Sequence, residues 1–222
     1  TGALRFTIPK SAITLPDGVT GLGTGNSVAV SGSNLAMTFD GPAAGQSGIA
    51  AVFTLDEAGT AATFRAAVPV GVVPDMITFT PDGTRALVAI EAEPTQGYAV
   101  DAPGGLAVID VATWSSQFFG FGAFDARVAE LRAEGVKVAN GFGAANTTLP
   151  SLDLEPEYVT VAGTRAYVTL QEASAVAIFD LAANQWVDIV ALGASAFNRP
   201  GFGVDTSDRD GGPVIRQVPV QG

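Results

Sequence analysis

The 222-residue chain sets 22 Asp and Glu against 11 Lys and Arg, a net charge of −11, so it offers no basic footprint for nucleic acid. It has no Cys and no His, which excludes disulfides, zinc sites built on those residues, Cys nucleophiles and a Ser-His-Asp triad. It is 47% hydrophobic and can bury a substantial core, yet no apolar run reaches the roughly 18 residues of a membrane helix.

In chain order, the first apolar run is Ala12 to Leu15, followed by Gly-rich turns. Ser27–Val30 and Asn34–Phe39 read as a strand pair joined by Ser31-Gly32-Ser33, a hairpin signal. Gly48–Leu55 and Thr63–Val68 read as two further strands. Pro74–Phe79 opens a second set, turned by Pro81-Asp82-Gly83 into a strand ending near Val88, then Leu106–Val111 and Ser115–Phe119. A helix is expected over about 125–134, with Asp125 as its cap, Val128 and Leu131 on one face and Gly135 as its stop. Phe118, Phe119, Phe121 and Phe124 form an aromatic run expected to pack the helix onto its blade, with a partner-docking surface as the alternative. A third set starts at Pro156 and ends with Trp186–Val190. Pro213–Arg216 is a last short run with no expected partner.

The second and third sets are one pattern written twice. Pro-Asp75-Met-Ile-Thr-Phe matches Pro-Glu157-Tyr-Val-Thr-Val; Gly-Thr-Arg85-Ala-Leu-Val matches Gly-Thr-Arg165-Ala-Tyr-Val; Leu-Ala-Val-Ile-Asp110 matches Val-Ala-Ile-Phe-Asp180. Three or four short strands per copy, separated by turn residues, are the pattern of a propeller blade. The fold expected is all-β, with about three propeller-type blades (roughly 25–70, 74–120 and 156–191) and one short inserted helix within about 121–152. The chain is expected to be a single partial propeller domain over 1–222. Three blades do not close a ring, so further blades or a partner chain are expected to complete it. The third-set and second-set blades lie further apart than the roughly 40–45 residues of a common blade, and the insertion accounts for the excess.

Three acidic groups carry the candidate chemistry, and with no His or Cys present a metal would find oxygen ligands, as Ca²⁺ and Mg²⁺ prefer. Asp205, Asp208 and Asp210 crowd before Gly211, the last two at alternating positions, as in a calcium loop, although the EF-hand pattern is not met; a solvated Asp-rich turn is the alternative. Glu91 and Glu93 share strand parity, with Asp101 nearby, and could hold a metal or line a solvated rim. Asp153, Glu155 and Glu157 alternate as well, and Glu157 stands opposite Asp75 in the repeat. Those four are candidate central carboxylates, since equivalent positions on neighbouring blades approach one axis; the alternative is that each caps its strand entry. Arg85 and Arg165 also match between copies and read as turn salt bridges, Arg85 with Asp82 or a neighbour. Trp114 and Trp186 are expected between blades. The glycine-rich pieces Gly21–Gly25 and Gly141–Gly143 do not open a helix after a strand and read as loops.

The strings VPDMITFTPDGTRALVAIEAEP (73–94), ELRAEGVKV (130–138), DLEPEYVTVAGTRAYVTLQEASAVAIFDL (153–181) and GVDTSDRDGG (203–212) together resemble the choice-of-anchor I family. These are bacterial and archaeal surface or secreted β-propellers, sometimes described as alkaline-phosphatase-like or phytase-like. The resemblance covers about 25–216. It implies a secreted, periplasmic or cell-surface location, with peripheral surface association. Typical members have a blade before the region matching Ser27 and several after Arg216, and their ANEGEP stretch is AIEAEP here. Two functions are expected from different classes. One is a binding or scaffold module, ordered by Ca²⁺ and completed by further blades or a protein partner. The other is a calcium-dependent phosphoesterase, a phosphoric-ester hydrolase using Asp- and Glu-held metal.

Overall fold

The computed structural model describes residues 4–139, 149–193, 197–205 and 211–217. Twelve strands form three four-stranded antiparallel sheets, each paired in chain order. Blade 1 holds β1 (Gly25–Ser31), β2 (Asn34–Phe39), β3 (Ser47–Leu55) and β4 (Ala62–Val72). Blade 2 holds β5 (Pro74–Phe79), β6 (Arg85–Ile90), β7 (Gly105–Asp110) and β8 (Ser115–Gly120). Blade 3 holds β9 (Pro156–Ala162), β10 (Arg165–Leu170), β11 (Ala175–Asp180) and β12 (Gln185–Ala191). Every strand expected from the sequence is present. The first strands lie side by side, β1 against β5 and β5 against β9. The sheets do not close into a ring. This is the expected all-β architecture of propeller-type blades with a short helical insertion.

Local chemistry explains the meander. The first hairpin of each blade turns on a glycine with positive φ: Gly32 (58°), Gly83 (68°) and Gly163 (60°). Asp110 and Asp180 close the last hairpins of blades 2 and 3. Asp110 Oδ1 accepts from the Thr113 N–H and hydroxyl, and Asp180 Oδ1 from the N–H groups of Ala182 and Ala183. Strand composition follows the number of covered faces. From Ala86 to Ile90, β6 is buried without a break because blade 2 is covered on both sides. In β10 Ala166, Val168 and Leu170 are buried while Tyr167 and Thr169 are half-buried, because one face alone is covered.

Three cores follow from this stacking. Ala36, Ala50, Val52 and Val68 of blade 1 meet Ile77, Ala86, Val88 and Ile109 of blade 2. Leu87, Leu106 and Val108 of blade 2 meet Val159, Ala166, Val168 and Phe179 of blade 3. The third lies on the far face of blade 1, where Ile8, Ile13, Leu15, Val19 and Leu22 pack over Phe39, Ile49 and Phe53. The tryptophans sit between blades as expected. Trp114 packs on the blade 1–2 core. Trp186 Nε1 donates to the Phe119 carbonyl at 3.1 Å, and its ring stacks on Phe121 at 4.5 Å.

The insertion departs from expectation at its start. A 3₁₀ turn occupies Gly122–Arg127, and the α-helix proper, α1, is Val128–Glu134. Asp125 is not its cap. Its carboxylate accepts from the Ser151 N–H and hydroxyl, both at 2.9 Å, tethering a second short helix, α2 (Pro150–Asp153). The stop is as expected: Gly135 takes φ 101° and its N–H returns to α1 carbonyls. Phe121, Phe124 and Leu131 are buried against blades 2 and 3.

Two further expectations are corrected. Arg85 does not pair with Asp82, whose Oδ1 accepts from the Thr80 and Thr84 hydroxyls and the Thr84 N–H within its own turn. Arg85 Nη1 instead crosses to blade 3, donating to the Leu181 carbonyl and to Asn184 Oδ1 at 3.0 Å. The run ending at Arg216 is paired, in an isolated antiparallel bridge with Val204.

Candidate functional site

In each blade the first strand starts, and the second strand ends, at the same edge of the sheet. Register makes the three blades directly comparable there, since Val28, Ile77 and Val159 occupy one position opposite Met37, Val88 and Val168. Two residues before the first trio stand Asn26, Asp75 and Glu157. One residue beyond the second strand stand Asp40, Glu91 and Gln171. With β1, β5 and β9 side by side, these positions gather at one rim. The β6–β7 loop adds Glu93 and Asp101, the lead into β9 adds Asp153 and Glu155, and the β10–β11 turn adds Glu172.

Charge coupling shows which of these carboxylates act together. Partial burial pushes the Glu91 carboxyl up to about 7, helped by the charges on Asp75, Glu93, Glu155 and Glu157. Glu155 is also pushed up to about 7, by burial first and then by Glu172, Glu93, Asp153 and Asp101. Asp75 is raised by burial and by Asp40, and Glu157 by burial, Glu172 and Asp75. Burial and Asp153 raise Asp101. Asp153 is raised by burial against the opposing pull of the Ala139 N–H, at 2.8 Å, and of Arg132. Residues from all three blades therefore share one acidic field.

The backbone around the rim is strained. Val73 (φ 48°), Ala92 (φ 59°) and Ser174 (φ 48°) lie in the left-handed region that non-glycine residues avoid. Each stands within two residues of a rim carboxylate: Asp75, Glu91 and Glu93, or Glu172. Such conformations cost of order 1–3 kcal/mol each and cluster at functional sites. Hydrogen bonds hold the Val73 and Ala92 segment, with the Glu91 N–H on the Val73 carbonyl at 3.0 Å and the Ala92 N–H on the Val72 carbonyl at 3.1 Å. At the blade 1 end, Asn26 Nδ2 donates to Asp40 at 2.8 Å and to the Pro74 carbonyl at 3.2 Å.

A cavity of about 330 Å³ opens beside this rim, lined by Lys137, Val138, Ala139, Asp153, Glu155 and Glu172. Its oxygen donors are of the kind that suits Ca²⁺ or Mg²⁺. Among the described residues, no three carboxylates form a ready-made metal cluster. A cation would have to draw them together.

The structure thus brings Asp75, Glu91, Glu93, Asp101, Asp153, Glu155 and Glu157 to one edge. Asp205 belongs to a different loop, where it accepts from the Val214 N–H at 3.0 Å. Asp208 and Asp210 lie outside the described residues, as does the Gly141–Gly143 loop. Reading the sequence missed Asp40 and Glu172. Asp40 was accessible to a residue-by-residue alignment of blade 1 with blade 2, where it falls opposite Glu91. Glu172 was hidden, because Gln171 occupies the repeat position and the acid sits one residue later.

Three stacked four-stranded meanders with adjacent first strands define an arc of a β-propeller. The sequence profile of the choice-of-anchor I domain matches residues 7–222, essentially the whole chain. The chain belongs to the choice-of-anchor I domain family. No curated protein matches it. Among solved structures it is similar to the β-propeller domain of the Trilobed protease from Pyrococcus furiosus, described as an open velcro topology. That likeness has 12% identity, covers 79% of this chain and 45% of that one, and gives a TM-score of 0.40. It is also similar to the periplasmic gluconolactonase of Pseudomonas aeruginosa, at 16% identity over 80% of this chain and 58% of that one, TM-score 0.40. A third likeness is to apo AztD from Citrobacter koseri, at 15% identity over 76% and 48%, TM-score 0.37. The chain spans about half the length of these structures.

Proposed function

We propose that the chain is a binding module of an extracytoplasmic β-propeller, secreted, periplasmic or on the cell surface. Its acidic rim takes a divalent cation of the Ca²⁺ type, and further blades or a partner chain complete it. The observation that carries the proposal is the convergence of carboxylates from three blades on one edge. Ionising Glu91 and Glu155 together is opposed by their neighbours, and a divalent cation offsets that repulsion better than water does. Membership of a choice-of-anchor family supports the location. Among the described residues no helix is long and apolar enough to cross a membrane.

The test is a thermal melt in millimolar Ca²⁺ and again in EDTA. A ligand present at one hundred times its dissociation constant stabilises by about 2.7 kcal/mol. For a chain of this length that is roughly 5–10 °C. Identical melts in both conditions would remove the cation from the proposal.

A calcium-dependent phosphoesterase is the second reading, favoured by one observation. Lys137 lines the same cavity as Asp153, Glu155 and Glu172. A phosphate ester bound there would set its charge against Lys137 while the carboxylates held the metal. Turnover of a phosphate monoester that EDTA abolishes would favour this reading. Calcium-dependent stability without turnover favours the binding module.

A further inference from the structure

The last hairpins of blades 2 and 3 are the same turn with different side chains at one position. Asp110 and Asp180 open them, and four residues on stand Trp114 and Asn184, held in the left-handed region at φ 55° and 52°. That conformation suits Asn and is avoided by Trp. Trp114 packs on the blade 1–2 core, as does Ala66 of blade 1. The counterpart of Ala66 in blade 2 is Gln117, since Val52 pairs with Ala66 and Val108 with Gln117. One junction therefore receives an indole and an alanine, and the other receives two short polar amides. At that second junction a cavity of about 490 Å³ opens, lined by Arg85, Asp110, Ser115, Gln117, Phe119 and Asn184.

Strand register sets this lining. Arg85 pairs with Asp110 and Asp110 with Ser115, so the three stand in one row across β6, β7 and β8. They share parity with Leu87, Val108 and Phe119 and extend the face that blade 2 turns to blade 3. Arg85 Nη1 donates to the Leu181 carbonyl and to Asn184 Oδ1, which fixes the guanidinium across the junction and leaves Asn184 Nδ2 as a donor. Asp110 Oδ1 accepts from the Thr113 N–H and hydroxyl, leaving Oδ2 as an acceptor. The Gln117 amide offers both a donor and an acceptor. Arg85 starts β6 and Glu91 follows its end, so this cavity and the acidic rim lie at opposite ends of the sheet.

Chemistry narrows the ligand. Hydrogen bonds from Thr113, then the Ala112 N–H and the Arg85 charge, hold the Asp110 carboxyl below its usual range. Asp110 is thus ionised near a guanidinium, and the two charges cancel. Arg85 opposes a bare cation and Asp110 opposes a phosphate or carboxylate. The amides and the Ser115 hydroxyl both donate and accept, as sugar hydroxyls do, and Phe119 adds an apolar wall for ring C–H groups. The volume lies in the range of small-molecule sites. We propose that the cavity between blades 2 and 3 binds a neutral pyranose sugar, with Arg85, Asp110, Gln117 and Asn184 bonding its hydroxyls. The proposal draws neither on the acidic rim nor on any blade outside this chain.

The test follows the side-chain amide signals of Gln117 and Asn184 by heteronuclear NMR, in EDTA so that no divalent cation takes part. The probes are the methyl glycosides of glucose, galactose, mannose and N-acetylglucosamine at millimolar concentration. At least one shifts both amides saturably. Gln117→Ala weakens its binding by about threefold to tenfold, the loss of one or two hydrogen bonds. Asn184→Trp abolishes binding, because it seats in this junction the ring that the other junction already holds; its readout is the Gln117 amide. No saturable shift with any of these glycosides overturns the proposal. Equal shifts from glycerol overturn it as well, since they mark a solvated groove, and so do equal shifts from sodium phosphate, which mark an anion site. Unchanged binding by Gln117→Ala also overturns it, and that exposed position keeps the test decisive should Asn184→Trp fail to fold. Calcium enters none of these outcomes, so the sugar site and the cation proposal fail separately.

Discussion

Glu91→Gln tests the acidic rim most simply, because it removes a charge while keeping size and hydrogen-bonding capacity. Glu91 is raised from 4.5 to about 7, so the folded chain holds a proton that the unfolded chain has released. Below about pH 4.5 both states are protonated and the group contributes no penalty. Stability then falls as pH rises from about 4.5 to about 7, and the loss is complete above that. A shift of this size would be about 3 kcal/mol if fully transmitted. Glu91 is only half-buried and solvent screens its neighbours, so about 1–2 kcal/mol is the expected penalty. Glu91→Gln should therefore melt roughly 3–6 °C above the parent at pH 8 and within about 1 °C of it at pH 4.5. The assay is a calcium-free thermal melt followed by circular dichroism at both pH values. A variant less stable than the parent at pH 8, or equally stabilised at both, would refute the reasoning.

Two predictions concern the junction of blades 2 and 3. Arg85→Ala removes the guanidinium bonds to the Leu181 carbonyl and Asn184, and should cost about 1–2 kcal/mol in urea unfolding with no change in slope. Phe179→Ala empties a fully buried position that packs edge-to-face with Phe119 at 4.9 Å and with Trp186 at 5.1 Å. It should cost about 3–5 kcal/mol and red-shift the Trp186 fluorescence as water reaches the ring; an unshifted spectrum would show the junction intact.

The strands were legible because the repeat writes short β-rich runs between turn residues and marks each first hairpin with glycine. The approach of Asp75 and Glu157 was legible for the same reason, since equivalent residues of stacked blades meet at one edge, whereas Glu91 read as part of a separate cluster with Glu93 and Asp101. What escaped detection depends on contacts between distant segments. Arg85 finds its partners on blade 3, and its own turn offered Asp82 as a nearer decoy. Asp125 sits where a cap belongs, but Ser151 competes for its carboxylate. The four-residue helix at Pro150 is too short to show a period at all. Glu155 lies in the lead into β9, where the sequence shows only alternating acids and not the partial burial that raises its carboxyl.

The central claim is that the three blade edges share one acidic site that a cation relieves. Carboxyl-carbon NMR titration of Glu91 and Glu155 measures it directly, first without metal and then in millimolar Ca²⁺. The account predicts midpoints near 7 for both carboxyls, falling well below that when calcium is added. Midpoints in the ordinary range near 4.5, unmoved by calcium, would contradict it.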